Sequence, residues 1–407
     1  MIKVKSWKIA DKLFPYAVFI LFLLSFLFSP YETFFLYVLS LGVIFNLYKK
    51  INYFYFLAIL GISVFFIINI NWNYFYSIKN TLNLVASLFG LMGWYALFKD
   101  RSSDYELPLI QFRNLVVFAT ILAIPWLAPF LVNVDIYQLN GYFSEFLSIY
   151  SVNSYKHSMS ILMTMLFILS FHMAFIRKKI SVFPLFNVIS LVFLLPFILS
   201  SRSIIFGIFI SIVFYFIRKV KGHIVLATLA FLVLQIGVFY FSLNLEYGDL
   251  DGFRDVMYPS AAHFSLDNIL GSGSFSGSEY LRSGFKSDTS LVVNDYLHVM
   301  KDMNFVGFES GFFTLLFNHG WFFGNLLFLI MFIFLETIKY DNKSSIEFAV
   351  INSMKIMFFG SFFSFHLFQP YFFGMIFLFI FMKANSILVQ GKAGKPKSLK
   401  NNSGQCK

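Results

Sequence analysis

Cysteine is almost missing from this chain: the one thiol, Cys406, sits in a polar tail, so neither a disulfide framework nor a thiolate metal site can be built from it. Charge is sparse as well. Only 13% of the 407 residues are Asp, Glu, Lys or Arg, against 58% hydrophobic, a balance that no water-soluble domain of this length can carry on its surface. Missing too are a phosphate-cradling Walker loop, an HExxH helix, a dinucleotide-binding glycine pattern after a strand, and an Asp-rich pair of the kind that holds a metal-bound nucleotide sugar. Those absences disfavour ATP-driven and nucleotide-sugar chemistry. No repeat with a period of 20 to 50 residues is visible.

What the chain does have is long apolar runs. A helix needs roughly 20 predominantly apolar residues to cross the hydrocarbon core with its backbone polar groups satisfied internally. Such runs predict about twelve spans, near 12–29, 32–48, 52–70, 81–98, 114–132, 158–176, 181–200, 203–217, 224–242, 312–335, 346–366 and 369–385. The first follows Lys3, Lys5, Lys8 and Lys12 and lacks a small-residue cleavage pattern, so it reads as a retained helix and not as a signal peptide.

The formal charge of +11 would suggest nucleic acid in a soluble protein, but here the basic residues fall between apolar runs, and no nucleic-acid partner is expected. Lys49-Lys50, Lys99 with Arg101 and Arg113, Arg177-Lys178-Lys179, Arg218-Lys219 with Lys221, Lys339 with Lys343, and the tail after Lys383 all fall on one side when every span is counted. That side reads as cytoplasmic, with both termini on it. The opposite side holds Lys79, Lys156, Arg202, Arg254, Arg282, Lys286 and Lys301. Lys355 falls inside the eleventh run, where it either snorkels toward the cytoplasm or lines an internal cavity.

The expected organisation is one integral membrane domain over 1–390 and a cytoplasmic polar tail over 391–407. Two longer external segments stand out: a smaller loop over 133–157 and a large one over 243–310, between the ninth and tenth spans. The large loop is rich in Gly, Ser and Asp and is expected to form short helices over the membrane mouth.

The residues able to carry chemistry lie on that external side. Arg202, in Ser200-Ser201-Arg202-Ser203, is expected at headgroup depth, where a planar guanidinium either takes phosphate oxygens or acts as an interfacial anchor. Arg254 lies among Glu246, Asp249, Asp251 and Asp255, and pairs with those carboxylates or with a ligand's phosphates. Gly271 and Gly273, around Ser272, supply backbone conformations other residues avoid, which serves a ligand's close approach or an ordinary turn. Glu309, just before a helix start, suits a general base or a helix N-terminal carboxylate without catalytic duty. His157 beside Lys156 is an acid/base or phosphate-site candidate or an interfacial side chain, and Arg282 and His298 are candidate loop contacts.

Taken in order, the Ser-Arg-Ser turn at Arg202, the Gly-x-Arg at Arg254 leading into Leu270-Gly271-Ser272-Gly273, and Glu309-Ser310-Gly311-Phe312 leading into Gly320-x-x-x-Gly324 resemble the O-antigen polymerase family, within the O-antigen ligase and polymerase superfamily. The resemblance covers mainly residues 155–335 together with the span layout. It implies an all-α, GT-C-like membrane fold with a periplasmic loop over a cavity, in the bacterial inner membrane. The implied substrate is an undecaprenyl-diphosphate-linked oligosaccharide, polymerised without metal or other cofactor. The resemblance assigns Arg202 and Arg254 to the diphosphate, and Glu309 stands where ligases carry a His, which favours a polymerase. A flippase and a chain-length regulator are the implied protein partners. The rival readings are a ligase acting on lipid A core and a lipid-linked oligosaccharide flippase.

Overall fold

The computed structural model describes residues 2–26, 29–48, 53–98, 106–131, 155–176, 184–199, 201–245, 253–274, 310–338, 344–364, 367 and 369–393. Among them the regular structure is helical, with a single isolated bridge between Ile70 and Ser274. Thirteen helices follow in order: α1 (Ile2–Leu24), α2 (Ser29–Tyr48), α3 (Tyr53–Ile68), α4 (Phe75–Phe98), α5 (Glu106–Leu131), α6 (Tyr155–Phe171), α7 (Pro184–Leu199), α8 (Arg202–Ile217), α9 (His223–Leu243), α10 (Phe253–Asp267), α11 (Gly311–Thr337), α12 (Ser345–Gly360) and α13 (Pro370–Ala393). Twelve of them occupy the twelve apolar runs, and α10 lies within the segment expected to be a large loop.

These apolar helices are those of a membrane protein. Ser77–Phe98, His223–Leu243 and Gly311–Thr337 are long and apolar enough to cross a bilayer by length and composition, and the remaining apolar helices are shorter.

The third of these is not one straight rod, which departs from the continuous span expected over 312–335. Gly320 has φ 75° and ψ 169°, outside any helical conformation. Beyond it the chain doubles back. Phe312 and Phe328, 16 residues apart and therefore about 24 Å apart in an unbroken helix, have ring centroids 5.1 Å from each other. The small residue Gly324 lets the arms close, since a Cβ there would lie 2.7 Å from the Leu315 carbonyl oxygen. α11 is thus a hairpin of a short arm, 311–319, and a longer arm, 321–337. An apolar run cannot report this break, because both arms are apolar.

Aromatic packing fixes the helices around this hairpin. Phe231 of α9 stacks on Phe332 at 4.1 Å, and Phe239 meets Trp321, so α9 runs antiparallel to the long arm. Phe214 of α8 stacks on Phe359 of α12 at 5.0 Å, and Phe328 stacks on Phe358 at 4.5 Å. Lipid tails are as apolar as these side chains, so the pairs stabilise the bundle through close packing and ring geometry and not through escape from water. On the far side, α2 and α4 approach through facing glycines. A Cβ on Gly42 would collide with the Gly90 carbonyl, and one on Gly90 with the Leu39 carbonyl.

α12 is the central post. Ser344 caps it by accepting from the Glu347 amide, a Ser-x-x-Glu start. α6 packs along it and ends in a π turn, His172–Ile176, where His172 Nδ1 lies 2.9 Å from Ser345 Oγ. Since α6 reaches the start of α12 at its own end, the two run antiparallel. α8 also packs along α12, with Gly207 against the Ile356 carbonyl.

Candidate functional site

At the far end of α12, around Gly360 to Ser364, several helix starts meet. Ser310 caps the short arm by accepting from the Phe313 amide, and its hydroxyl lies 2.8 Å from the Phe362 carbonyl and 3.1 Å from that of Ser361. The Gly311 amide donates to Ser364 O at 3.0 Å and the Phe312 amide to Ser361 O at 3.1 Å. The end of α12 and the start of α11 therefore satisfy each other's unpaired backbone groups. Glu309, one residue earlier in the chain, lies outside the described residues.

α10 lies along the short arm in the same direction, with Tyr258 stacked on Phe313 at 4.6 Å and Phe264 on Phe317 at 4.3 Å. Tyr258 also meets Phe363 at 6.5 Å. That places the start of α10, and the backbone of Arg254 as its second residue, at the same end. Phe206 of α8 contacts the Phe363 ring at 4.9 Å, which brings Arg202, the first residue of α8, there as well. The antiparallel course of α6 directs its start, with the backbone of His157, toward this end too. Four helix starts thus surround the end of α12, each presenting the positive end of its dipole and main-chain amides. At α8 the N-cap residue Ser201 makes no side-chain cap; its hydroxyl engages Ser203 Oγ at 3.1 Å. Arg202 itself is exposed.

Gly271 and Gly273 lie at the other end of the α10 and short-arm pair, in a strap that closes the hairpin tip. Both have positive φ, 72° and 102°. The Ser272 amide donates to Phe317 O and the Gly273 amide to Asn318 O, each at 3.0 Å, so the strap caps the carbonyls that the helix break leaves open. Ser274 then binds the corner between α3 and α4, through its amide to Asn69 O at 2.6 Å and its carbonyl to the Ser77 hydroxyl. Asn71 Nδ2 donates to Ser272 O at 3.0 Å. These glycines serve the fold directly. Gly320→Ala is expected to destabilise the protein by at least about 1–3 kcal/mol, because alanine disfavours this φ and its Cβ would strike the Ile269 carbonyl. A thermal unfolding midpoint in detergent checks this, and an unchanged midpoint would argue against the tight hairpin.

Arg282 and His298 lie outside the described residues. His263 is exposed, and His319 is buried at the hairpin tip between the rings of Phe65 and Phe66, at 5.1 and 5.2 Å.

Lys355 is buried and donates to Glu336 Oε1 at 2.7 Å. Arg218, at the end of α8, pairs with the other oxygen of Glu336 and donates to the Glu336 carbonyl at 2.8 Å. One carboxylate thus joins α8, α11 and α12 at the end opposite the candidate site. A second buried carboxylate, Glu347, takes Lys383 of α13 at 2.7 Å. Glu336 escaped the sequence reading although a signal existed, namely a carboxylate closing one apolar run and a lysine interrupting the next. Ser361 and Ser364 were missed too, because their carbonyls and not their side-chain types do the work.

Among the described residues no group of three or more His, Cys, Asp or Glu is placed to hold a metal. No family model matches the chain, and neither a curated protein nor a solved structure matches it.

Proposed function

We propose that this protein is a surface-polysaccharide polymerase of the O-antigen type, transferring a growing glycan from a polyprenyl diphosphate to the next lipid-linked repeat unit on the outer side of the inner membrane. The observation that carries the reading is the gathering of four helix starts around the end of α12, two of them bearing Arg202 and Arg254. A gathering of positive helix ends, two of them carrying an arginine in the sequence of their first turn, suits an anion held at the edge of an apolar bundle.

The chemistry follows from charge. The acceptor hydroxyl oxygen attacks the anomeric carbon, the bond from that carbon to the diphosphate oxygen breaks, and the electron pair leaves with the lipid diphosphate. Negative charge grows on the departing group, where Arg202, Arg254 and the helix starts stabilise it more than they stabilise the bound substrate. In this scheme Glu309 accepts the hydroxyl proton, and His157 assists at the phosphates or in proton transfer. A single displacement inverts the anomeric centre. No nucleotide or metal enters this scheme.

Deleting the gene in its host is the accessible test. Loss of the polymer length ladder with one capped repeat remaining supports the polymerase. Complete loss of capped product indicates the ligase or the flippase instead, and an intact ladder rules out all three.

A further inference from the structure

Arg202 lies on the outward face of α8 and not on the packed one. The packed face is Ser203, Ile204, Gly207 and Phe214, held on α12. At 100° per residue, Arg202, Ile205, Phe209, Ile212 and Phe216 fall within an arc of about 80° and extend over about 21 Å of helix. Every apolar member of that stripe is open: Ile205 is 41% exposed, Phe209 62%, Ile212 51% and Phe216 60%. Lys219 closes its other end, its Nζ 4.8 Å from the Tyr215 ring centroid and 5.3 Å from that of Phe216.

An apolar outward face is what any lipid-facing helix shows, and α9 provides the comparison. Its exposed Val225, Leu229, Val233, Ile236 and Tyr240 form a stripe of similar length. Toward the hairpin tip, where Phe239 meets Trp321, that stripe finishes in Tyr240 and Asn244, which are uncharged. On α8 the stripe runs unbroken into a cation that belongs to the cluster of helix starts. A molecule with an anionic head and a long apolar tail complements that face along its whole length.

We propose that the outward face of α8 is the docking track for the isoprenoid tail of the lipid carrier, which approaches sideways from the bilayer with its phosphates meeting Arg202 first. The identity of the head group rests on the polymerase reading; the track itself rests on the stripe and its terminal cation. Phe209 and Phe216 provide the broad apolar surface, and Arg202 sets the depth at which the head stops.

The test uses the full chain in phosphatidylcholine and phosphatidylglycerol nanodiscs, with a photo-crosslinking phenylalanine at Phe209 or, as control, at Val233 of α9. Radiolabelled undecaprenyl diphosphate is the probe. Labelling at position 209 is expected to exceed that at 233, and to fall about tenfold or more with Arg202→Ala, as loss of a charge-assisted phosphate contact implies. Arg202→Lys, which keeps the charge, is expected to retain part of it. Unchanged labelling at 233 shows that each variant is folded. Equal labelling at both positions, or labelling at 209 that excess phosphatidylglycerol removes as readily as unlabelled carrier does, overturns the track. If polymer still forms in that case, the polymerase reading stands without it. Arg202-dependent labelling at 209 by a protein that makes no polymer supports the track and sinks the polymerase reading.

Discussion

Arg202→Ala and Arg254→Ala are each expected to slow glycan transfer by about 10²–10³-fold while leaving the protein folded, the loss typical when one preorganised donor to a developing oxyanion is removed. The effect should fall mainly on the chemical step, because the diphosphate carries more charge as it departs than while it is esterified. Lysine at either position keeps a positive charge but not the planar fork, so partial activity is expected. Arg202 is exposed at the first position of α8, where alanine removes no buried contact of the helix with α12. Rates measured with purified variants and a synthetic lipid-linked repeat check this. Wild-type rates from both alanine variants would remove the diphosphate assignment.

Glu336→Gln is expected to be the most destabilising single change in the described bundle. Glu336 and Lys355 side chains are 3% and 6% exposed, and Arg218 is 18% exposed. Removing the shared carboxylate leaves two cations in an apolar surrounding, and breaking a buried pair in this way costs about 3–5 kcal/mol. Three helices lose a common tie at once: α8, which starts with Arg202, α11, which starts beside Glu309, and α12, whose end they surround. The paired variant Glu336→Gln with Lys355→Met is expected to recover part of the loss, since one stranded charge disappears with its partner. Unfolding midpoints in detergent distinguish these cases. An unchanged midpoint for Glu336→Gln would mean that the network contributes nothing.

The places where sequence and structure part follow from what periodicity and hydropathy can report. A run of 20 apolar residues is a one-dimensional signal, and each of the twelve runs did become a helix. Gly320 turns the chain inside such a run without changing its hydropathy. The polar trio Asn318-His319-Gly320 was the available sign, and its meaning depended on the Asn268 to Ser274 strap, about fifty positions earlier. α10 carries Pro259 and mixes its apolar residues with charged and polar ones, too short and too polar a stretch to read as a span, and it is held by stacking of Tyr258 and Phe264 against the short arm. The site was legible as separate motifs at helix starts, because Ser-Arg-Ser lies between two apolar runs. Their meeting at the end of α12 was not, since it runs through the ring contacts of Phe206 and Tyr258 with Phe363 and through the main-chain carbonyls of Ser361 and Ser364, none of which a local motif reports. Phenylalanine is abundant in the sequence, and in the folded chain it forms the stacked centre of α8, α9, α11 and α12.

The central claim is that this chain by itself joins lipid-linked repeat units. Purified protein in liposomes, given one synthetic undecaprenyl-diphosphate-linked repeat of the host's own glycan and neither nucleotide nor added metal, is predicted to produce a ladder of products differing by whole repeats, released by mild acid from the diphosphate. A substrate that stays a single repeat, in liposomes where the protein is shown to be folded and to bind the carrier, would contradict it.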